Sequence, residues 1–172
     1  MRCFFAVEPS AQTKLAIEHW RQKYLPPFTA PVSAANFHLT LAFLGEISAA
    51  QFESLSQLIL NNHSAQLTSF NLTLNTQGYW PKPKAFWLGC DNVPAQLLAL
   101  VKITEQAARS AHLNFVERNY IPHLTLARKC KTEPPLALLP PNFTTQISEF
   151  GLYESVSTAN GVRYFKRLSW PL

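Results

Sequence analysis

One short string occurs twice in this chain: His38-Leu39-Thr40-Leu41 and His123-Leu124-Thr125-Leu126, 85 positions apart in a chain of 172 residues. The same four residues recurring at half the chain length mark an internal repeat, and so a molecule made of two related halves. On a strand, side chains at i and i+2 share a face, so each copy presents its His and Thr on one side and its two leucines on the other. The leucines anchor each strand while the polar pair faces a space. If an approximate two-fold relates the halves, His38 and His123 meet across one cleft, each with a hydroxyl beside it. A single His in a strand is usually a satisfied or surface residue, and a single Thr is a good β-former. Packing gives no reason for the same His to appear twice at the same phase. The other histidines read as structural: His19 and His112 fall in helices, and His63 follows Asn61-Asn62 at a helix end, where a cation suits the helix dipole.

The segments around the motifs alternate between strand and helix. Cys3 to Val7 is a β-rich run closed by Pro9, and Ser10 caps a helix in which Thr13, Ile17, Trp20 and Tyr24 recur at helical spacing. Asn36 to Leu44 is β-compatible and ends at Gly45; Ser48-x-x-Gln51 then forms a capping box for a helix carrying Phe52, Leu55 and Ile59. Phe70, Leu72 and Leu74 alternate along a strand expected to pair as a hairpin with Ala85–Cys90 across the Pro81-Lys82-Pro83-Lys84 turn. Pro94 opens a third helix through Leu97, Leu100, Val101 and Ala108, ending near His112. Strands follow around His123–Ala127, Ile147–Tyr153 and Val162–Trp170, with a Pro-rich loop from Pro134 to Pro141. Without strict β-α-β-α order, this mixture reads as an α+β fold with antiparallel sheet, in one domain over residues 1–172.

Composition narrows the chemistry by exclusion. With 47% hydrophobic and 15% charged residues the chain folds around a substantial core, and its +5 net charge favours an anionic partner without naming one. Cys3, Cys90 and Cys130 are odd in number and scattered, which fits a reducing compartment and buried apolar side chains, and gives no C-x-x-C. The apolar stretch behind Arg2 is too short for a signal or membrane span, so a soluble cytoplasmic protein is expected. The five glycines form no phosphate-cradling loop. Asp91 is the lone aspartate, and neither motif has a further His or carboxylate at ligand spacing on its strand face, so neither a metal site nor a Ser-His-Asp triad is expected.

Two opposed imidazoles suit concerted acid and base work near neutral pH, one starting neutral and the other protonated. Displacement at phosphorus needs that service on opposite sides, for the attacking and the departing oxygen. Thr40 and Thr125 can hydrogen-bond the non-bridging oxygens, and a nearby Arg offsets their charge. Arg128 follows the second motif, but strict alternation aims it away from His123 unless a bulge or the strand end turns it. Arg128, Lys129 and Lys131 read either as a solvated strand end or as an anion-attracting rim. Phe4 and Phe5 read as core, with base stacking open to one of them, and Tyr164, Lys166 and Arg167 fit either role.

Together these residues resemble the 2H phosphoesterase superfamily, and within it the RNA 2′,3′-cyclic phosphodiesterases, also called LigT-type 2′-5′ RNA ligases. The resemblance rests on Arg2 to Val7, Asn36 to Gly45 as a first H-x-T-x motif, Pro122 to Arg128 as a second, and Leu152 to Ser155 with Gly161 and Tyr164. It departs at Val162, where many relatives have Pro. The resemblance implies a bilobal, pseudo-two-fold α+β fold with antiparallel sheets lining a central cleft and helices outside. It implies metal-independent, cofactor-free hydrolysis of RNA 2′,3′-cyclic phosphate ends to 2′-phosphomonoesters. His38 is then the proton donor to the departing 3′ oxygen, His123 the proton acceptor from water, and Thr40, Thr125 and Arg128 the phosphate-binding residues. The expected partner is RNA with cyclic phosphate ends, including tRNA fragments, or a small nucleotide, acted on by a monomer away from any membrane. Reversible 2′-5′ ligation of tRNA halves and a non-catalytic RNA-end binding module are the competing functions.

Overall fold

A computed structural model of the chain describes residues 1–62, 67–113, 119–159 and 161–172. The expected strand β1 is Arg2–Val7, followed by helix α1 at Ala11–Tyr24. Ser10 caps α1 as expected, its Oγ accepting from the Thr13 N–H at 3.1 Å. A short strand β2 (Ala30–Pro31) and a 3-10 turn (Ala34–Asn36) precede β3, Leu39–Glu46, which runs past Gly45 rather than ending there. The Ser48–Gln51 box closes reciprocally at the start of helix α2 (Ala49–Asn62): Ser48 N–H donates to Gln51 Oε1 at 3.0 Å, and Gln51 N–H to Ser48 Oγ at 3.2 Å. Helix α3 spans Ala95–Ser110 behind Pro94, and His112 lies just past its end with φ 54°, outside the helix where it was expected. His63 falls outside the described residues.

The remaining strands are β4 (Phe70–Leu74), β5 (Thr76–Trp80), β6 (Ala85–Gly89), β7 (Leu124–Arg128), β8 (Phe143–Ile147), β9 (Glu149–Thr158) and β10 (Gly161–Pro171). The expected hairpin between Phe70–Leu74 and Ala85–Cys90 does not form. The Pro81–Lys84 turn instead joins β5 to β6, with Trp80 opposite Ala85, while β4 pairs with β8 in a separate two-stranded sheet. Of the three cysteines only Cys3 is buried; Cys90 and Cys130 are half-exposed, because they lie beyond the strand ends that would cover them.

The main sheet runs β10-β9-β1-β3-β7-β6-β5, all antiparallel, with β2 also on β7. Around its centre the order is nearly palindromic: β1, α1 and β3 of one half answer to β6, α3 and β7 of the other. The two motif strands meet through a single registered pair, Leu39 opposite Leu124. Alternate residues of β1 then sort cleanly. Cys3, Phe5 and Val7 join the large core, which includes residues of all three helices and both motif leucine pairs, while Phe4 and Ala6 face the other side with Tyr153 and Tyr164. Among the described residues no helix is long and apolar enough to cross a membrane.

Each motif strand carries the same irregularity. Phe5 pairs with Ala42 and Ala6 with Thr40, leaving Leu41 as an extra residue; Phe86 pairs with Ala127 and Trp87 with Thr125, leaving Leu126 extra. At both bulges the second leucine and the following alanine are buried in the core, so alternation slips by one. Arg21 holds the second bulge from behind. Only 5% exposed, its guanidinium donates to the carbonyls of Val32 (2.7 Å) and Leu126 (2.5 Å) and to Glu18 (2.5 Å), and lies 5.5 Å from the centre of the Phe37 ring. Replacing it by Met removes its bonds to the Val32 and Leu126 carbonyls and to Glu18, while the Leu126 carbonyl keeps the Val32 N–H and Glu18 keeps Gln22, so Arg21→Met is expected to cost about 2 kcal/mol. Urea unfolding checks this; a loss under about 0.5 kcal/mol, the range of ordinary surface substitutions, contradicts it.

Candidate active site

His38 and His123 each occupy the position immediately before a motif strand. Their rings are held the same way: Nδ1 lies 2.7 Å from the Asn36 carbonyl in one and 2.8 Å from the Ile121 carbonyl in the other. A carbonyl only accepts, so Nδ1 carries the proton in both rings. Nε2 is thereby left as the working nitrogen, able to take a proton when the ring is neutral and to give one when it is charged. The Asn36 side chain also donates to the Val162 carbonyl at 2.9 Å, tying the β9–β10 hairpin to the first motif.

The single Leu39–Leu124 pair places the two histidines relative to each other. In an antiparallel ladder, one step from that pair sets Thr40 beside His123 and Thr125 beside His38. The two histidines are then diagonal neighbours, for which about 7–8 Å between Cα atoms is usual. Thus the motifs interleave into a quartet, each imidazole next to the hydroxyl of the other half. Thr40 is buried and Thr125 half-buried, and among the described residues neither hydroxyl has a hydrogen-bond partner.

The bulges decide which residue comes next on this face. After Thr125, Leu126 and Ala127 both turn inward, so Arg128 returns to the side of His123 and its charge is felt at both imidazoles. Strict alternation aimed it the other way, and the extra residue reverses that. In the first half the corresponding position is Phe43, 64% exposed and 6.2 Å from Phe4 between ring centres.

Aromatic rings wall both histidines. His38 lies 5.0 Å from Phe4 and 4.9 Å from Tyr164, and His123 lies 4.5 Å from Trp80 and 6.4 Å from Trp87. Phe4 therefore supports His38 from its side of the sheet, and only Phe5 belongs to the main core. Trp87 lies across Gly78, where a Cβ would come within 2.3 Å of the indole. The indole N–H of Trp87 is buried with no protein acceptor. Of the ambiguous C-terminal group, Tyr164 belongs to the site, whereas Lys166 pairs with Glu149 at 2.5 Å and Arg167 with Glu154.

The aromatic walls also set the protonation state. Burial pushes His38 from 6.5 down to about 4, opposed by the Asn36 carbonyl and Glu8 and reinforced by His123 and Arg128. His123 is also lowered, by burial first and by Arg128. Glu8 is held by Lys14 at 2.6 Å, and its negative charge is felt at His38 and not at His123. Among the described residues no three His, Cys, Asp or Glu side chains gather where a metal ion could be held. Sequence reasoning reached the quartet and missed Glu8, Arg21, Trp80 and Trp87. Their partners are set by long-range contacts, although the aromatic residues at Trp80 and Trp87 flanking one turn were a visible cue.

The family model described as LigT like Phosphoesterase matches twice, over residues 7–87 and 88–164, once in each half. The chain belongs to the LigT-like phosphoesterases. It is 37% identical to the RNA 2′,3′-cyclic phosphodiesterase of Escherichia coli, covering 99% of this chain and 96% of that protein, and 28% identical to the Thermotoga maritima protein of the same name, covering 95% and 91%. Its fold superposes on crystal structures of E. coli LigT, with a TM-score of 0.88 for the 3′-AMP complex at 35% identity, covering 99% of this chain and 97% of that one.

The lowered His38 links folding to pH. Between 6.5 and about 4 the unfolded chain binds a proton that folded His38 refuses, so stability from this group is complete above pH 6.5 and is lost as pH falls through that window. His38→Gln is expected to flatten the decline of urea stability between pH 6.5 and 4; an unchanged slope contradicts the shift.

Proposed function

We propose that this chain hydrolyses RNA 2′,3′-cyclic phosphodiester ends to 2′-phosphomonoesters by paired-imidazole general acid and base catalysis. The observation that carries the reading is the matched pair of histidines, each with Nδ1 on the carbonyl two residues back and Nε2 free beside the other half's threonine. The names of the E. coli and T. maritima relatives support the same chemistry.

Water attacks phosphorus while His123 Nε2 takes its proton. The P–O3′ bond breaks as His38 Nε2–H protonates the departing oxygen, leaving the phosphate on O2′. Thr40 and Thr125 donate to the non-bridging oxygens, and Arg128 balances the charge that builds there. Solvent then returns both imidazoles to their starting states. Glu8 offsets only part of the burial that lowers His38, so the acid role of His38 rests on the family resemblance. With both imidazoles depressed in the free protein, the anionic substrate itself draws a proton onto His38 on binding.

His38→Ala and His123→Ala are each expected to lower kcat by about 10²–10⁴-fold while folding normally. Thr40→Val and Thr125→Val are expected to lower kcat/KM by about tenfold each, the loss of one hydrogen bond to a charged oxygen. Product mapping on an RNA ending in a 2′,3′-cyclic phosphate, with and without EDTA, checks the whole reading. A 2′-phosphate formed equally in both conditions supports it; a 3′-phosphate, chelator sensitivity, or binding without turnover refutes it. Adding RNA with a 5′-hydroxyl shows whether ligation competes with hydrolysis.

A further inference from the structure

Five of the fifteen Lys and Arg residues crowd one edge of the site: Lys82 and Lys84 in the β5–β6 turn, and Arg128, Lys129 and Lys131 at the end of β7. Elsewhere, among the described residues, Lys14, Arg21, Arg109, Lys166 and Arg167 are each paired with a carboxylate, whereas Arg2, Lys23, Lys102 and Arg163 are not. Among the described residues none of the five edge cations has an ion-pair partner. Beside them lies a depression of about 260 Å³, lined by Phe28, Thr29, Arg128 and Lys131, with Glu133 as its one carboxylate.

The backbone presenting these cations is fixed. Cys130 N–H donates to the Lys84 carbonyl at 3.0 Å, and the Tyr79 hydroxyl donates to the Cys130 carbonyl at 3.0 Å, so the strand end is pinned to the hairpin. The two lysines flanking that pinned junction, Lys84 and Lys129, have φ of 51° and 58°, the left-handed region where Gly is favoured and a long side chain is disfavoured. Lysine at both positions serves something other than the turn itself.

We propose that this edge is a track for the phosphates upstream of the reacting end, so that the site takes the end of an RNA strand in preference to a single nucleotide. The inference rests on the phosphodiesterase reading and extends it to the substrate class. Arg128 joins the two regions: it faces the imidazoles, and the unpaired cations continue from it outward. A strand whose terminal phosphorus lies between His38 and His123 carries its next phosphate toward Lys129 and Lys131, where unpaired cations gain by releasing counterions.

The test uses the substitutions Lys84→Gly, Lys129→Gly and Lys131→Gln together. Glycine relieves the left-handed backbone, so the variant is expected to fold at least as well as the natural chain. Its kcat/KM is expected to fall about tenfold or more on an RNA tetramer ending in a 2′,3′-cyclic phosphate and to stay unchanged on a nucleoside 2′,3′-cyclic phosphate. The salt dependence of tetramer binding, followed by fluorescence anisotropy, should flatten by about 0.7 in log–log slope for each phosphate deprived of its lysine. Equal effects on both substrates, or no effect on the tetramer, overturn the track. A natural chain that cleaves neither substrate, yet binds the tetramer in a way these lysines control, refutes the phosphodiesterase reading and upholds the track.

Discussion

The contact on which the site depends is the Leu39–Leu124 pair. It joins two half-sheets that otherwise diverge, and it lies one residue from each histidine and one from each threonine. Both leucines are fully buried, so the joint is fastened from the core side while the polar quartet stays on the opposite face. Neither half holds a complete set of groups: each imidazole has its neighbouring hydroxyl supplied by the other. Catalysis of the kind proposed therefore requires the halves to be assembled, and the spacing of the two Nε2 atoms is fixed by packing rather than by any bond between the rings.

The duplicated bulge has an equal share in this arrangement. It sends two consecutive side chains into the core, Leu41 with Ala42 and Leu126 with Ala127, and so brings the following residue back to the polar face. Arg21 braces the second copy through the Leu126 carbonyl while touching the ring of Phe37, the residue before His38. A buried guanidinium is costly unless its donors are engaged, and here they meet two carbonyls and a carboxylate. The same side chain thus reports on the geometry of both motifs without facing the cleft.

Signals in the sequence are legible where the physics is local. Ser10, the Ser48–Gln51 box and Pro94 act within one helical turn, and each marks its helix start as expected. The repeated motif points to the quartet because strand alternation needs only adjacent residues. Strand partners are less legible: Phe70–Leu74 alternates well but pairs with Phe143–Ile147, whereas Thr76–Trp80, half-buried throughout, takes the hairpin position. Alternation identifies a strand without naming its neighbour. The bulges are hidden for a related reason, since one extra residue in a ladder is defined by the opposite strand. Alternation consequently puts Arg128 on the wrong face, and only the family resemblance puts it on the right one.

A frame built from one unit used twice has no intrinsic direction: turned about its axis, either imidazole could stand in for the other. The residue that follows each bulge helps to remove that equivalence, with the Arg128 guanidinium in one half and the exposed ring of Phe43 in the other. The two sides of the quartet consequently differ in charge, so a charged, asymmetric molecule meets unlike surroundings on either side. Direction in this protein is written by a handful of side chains, Arg128, Phe43 and Glu8 among them, on a scaffold that is otherwise ambidextrous.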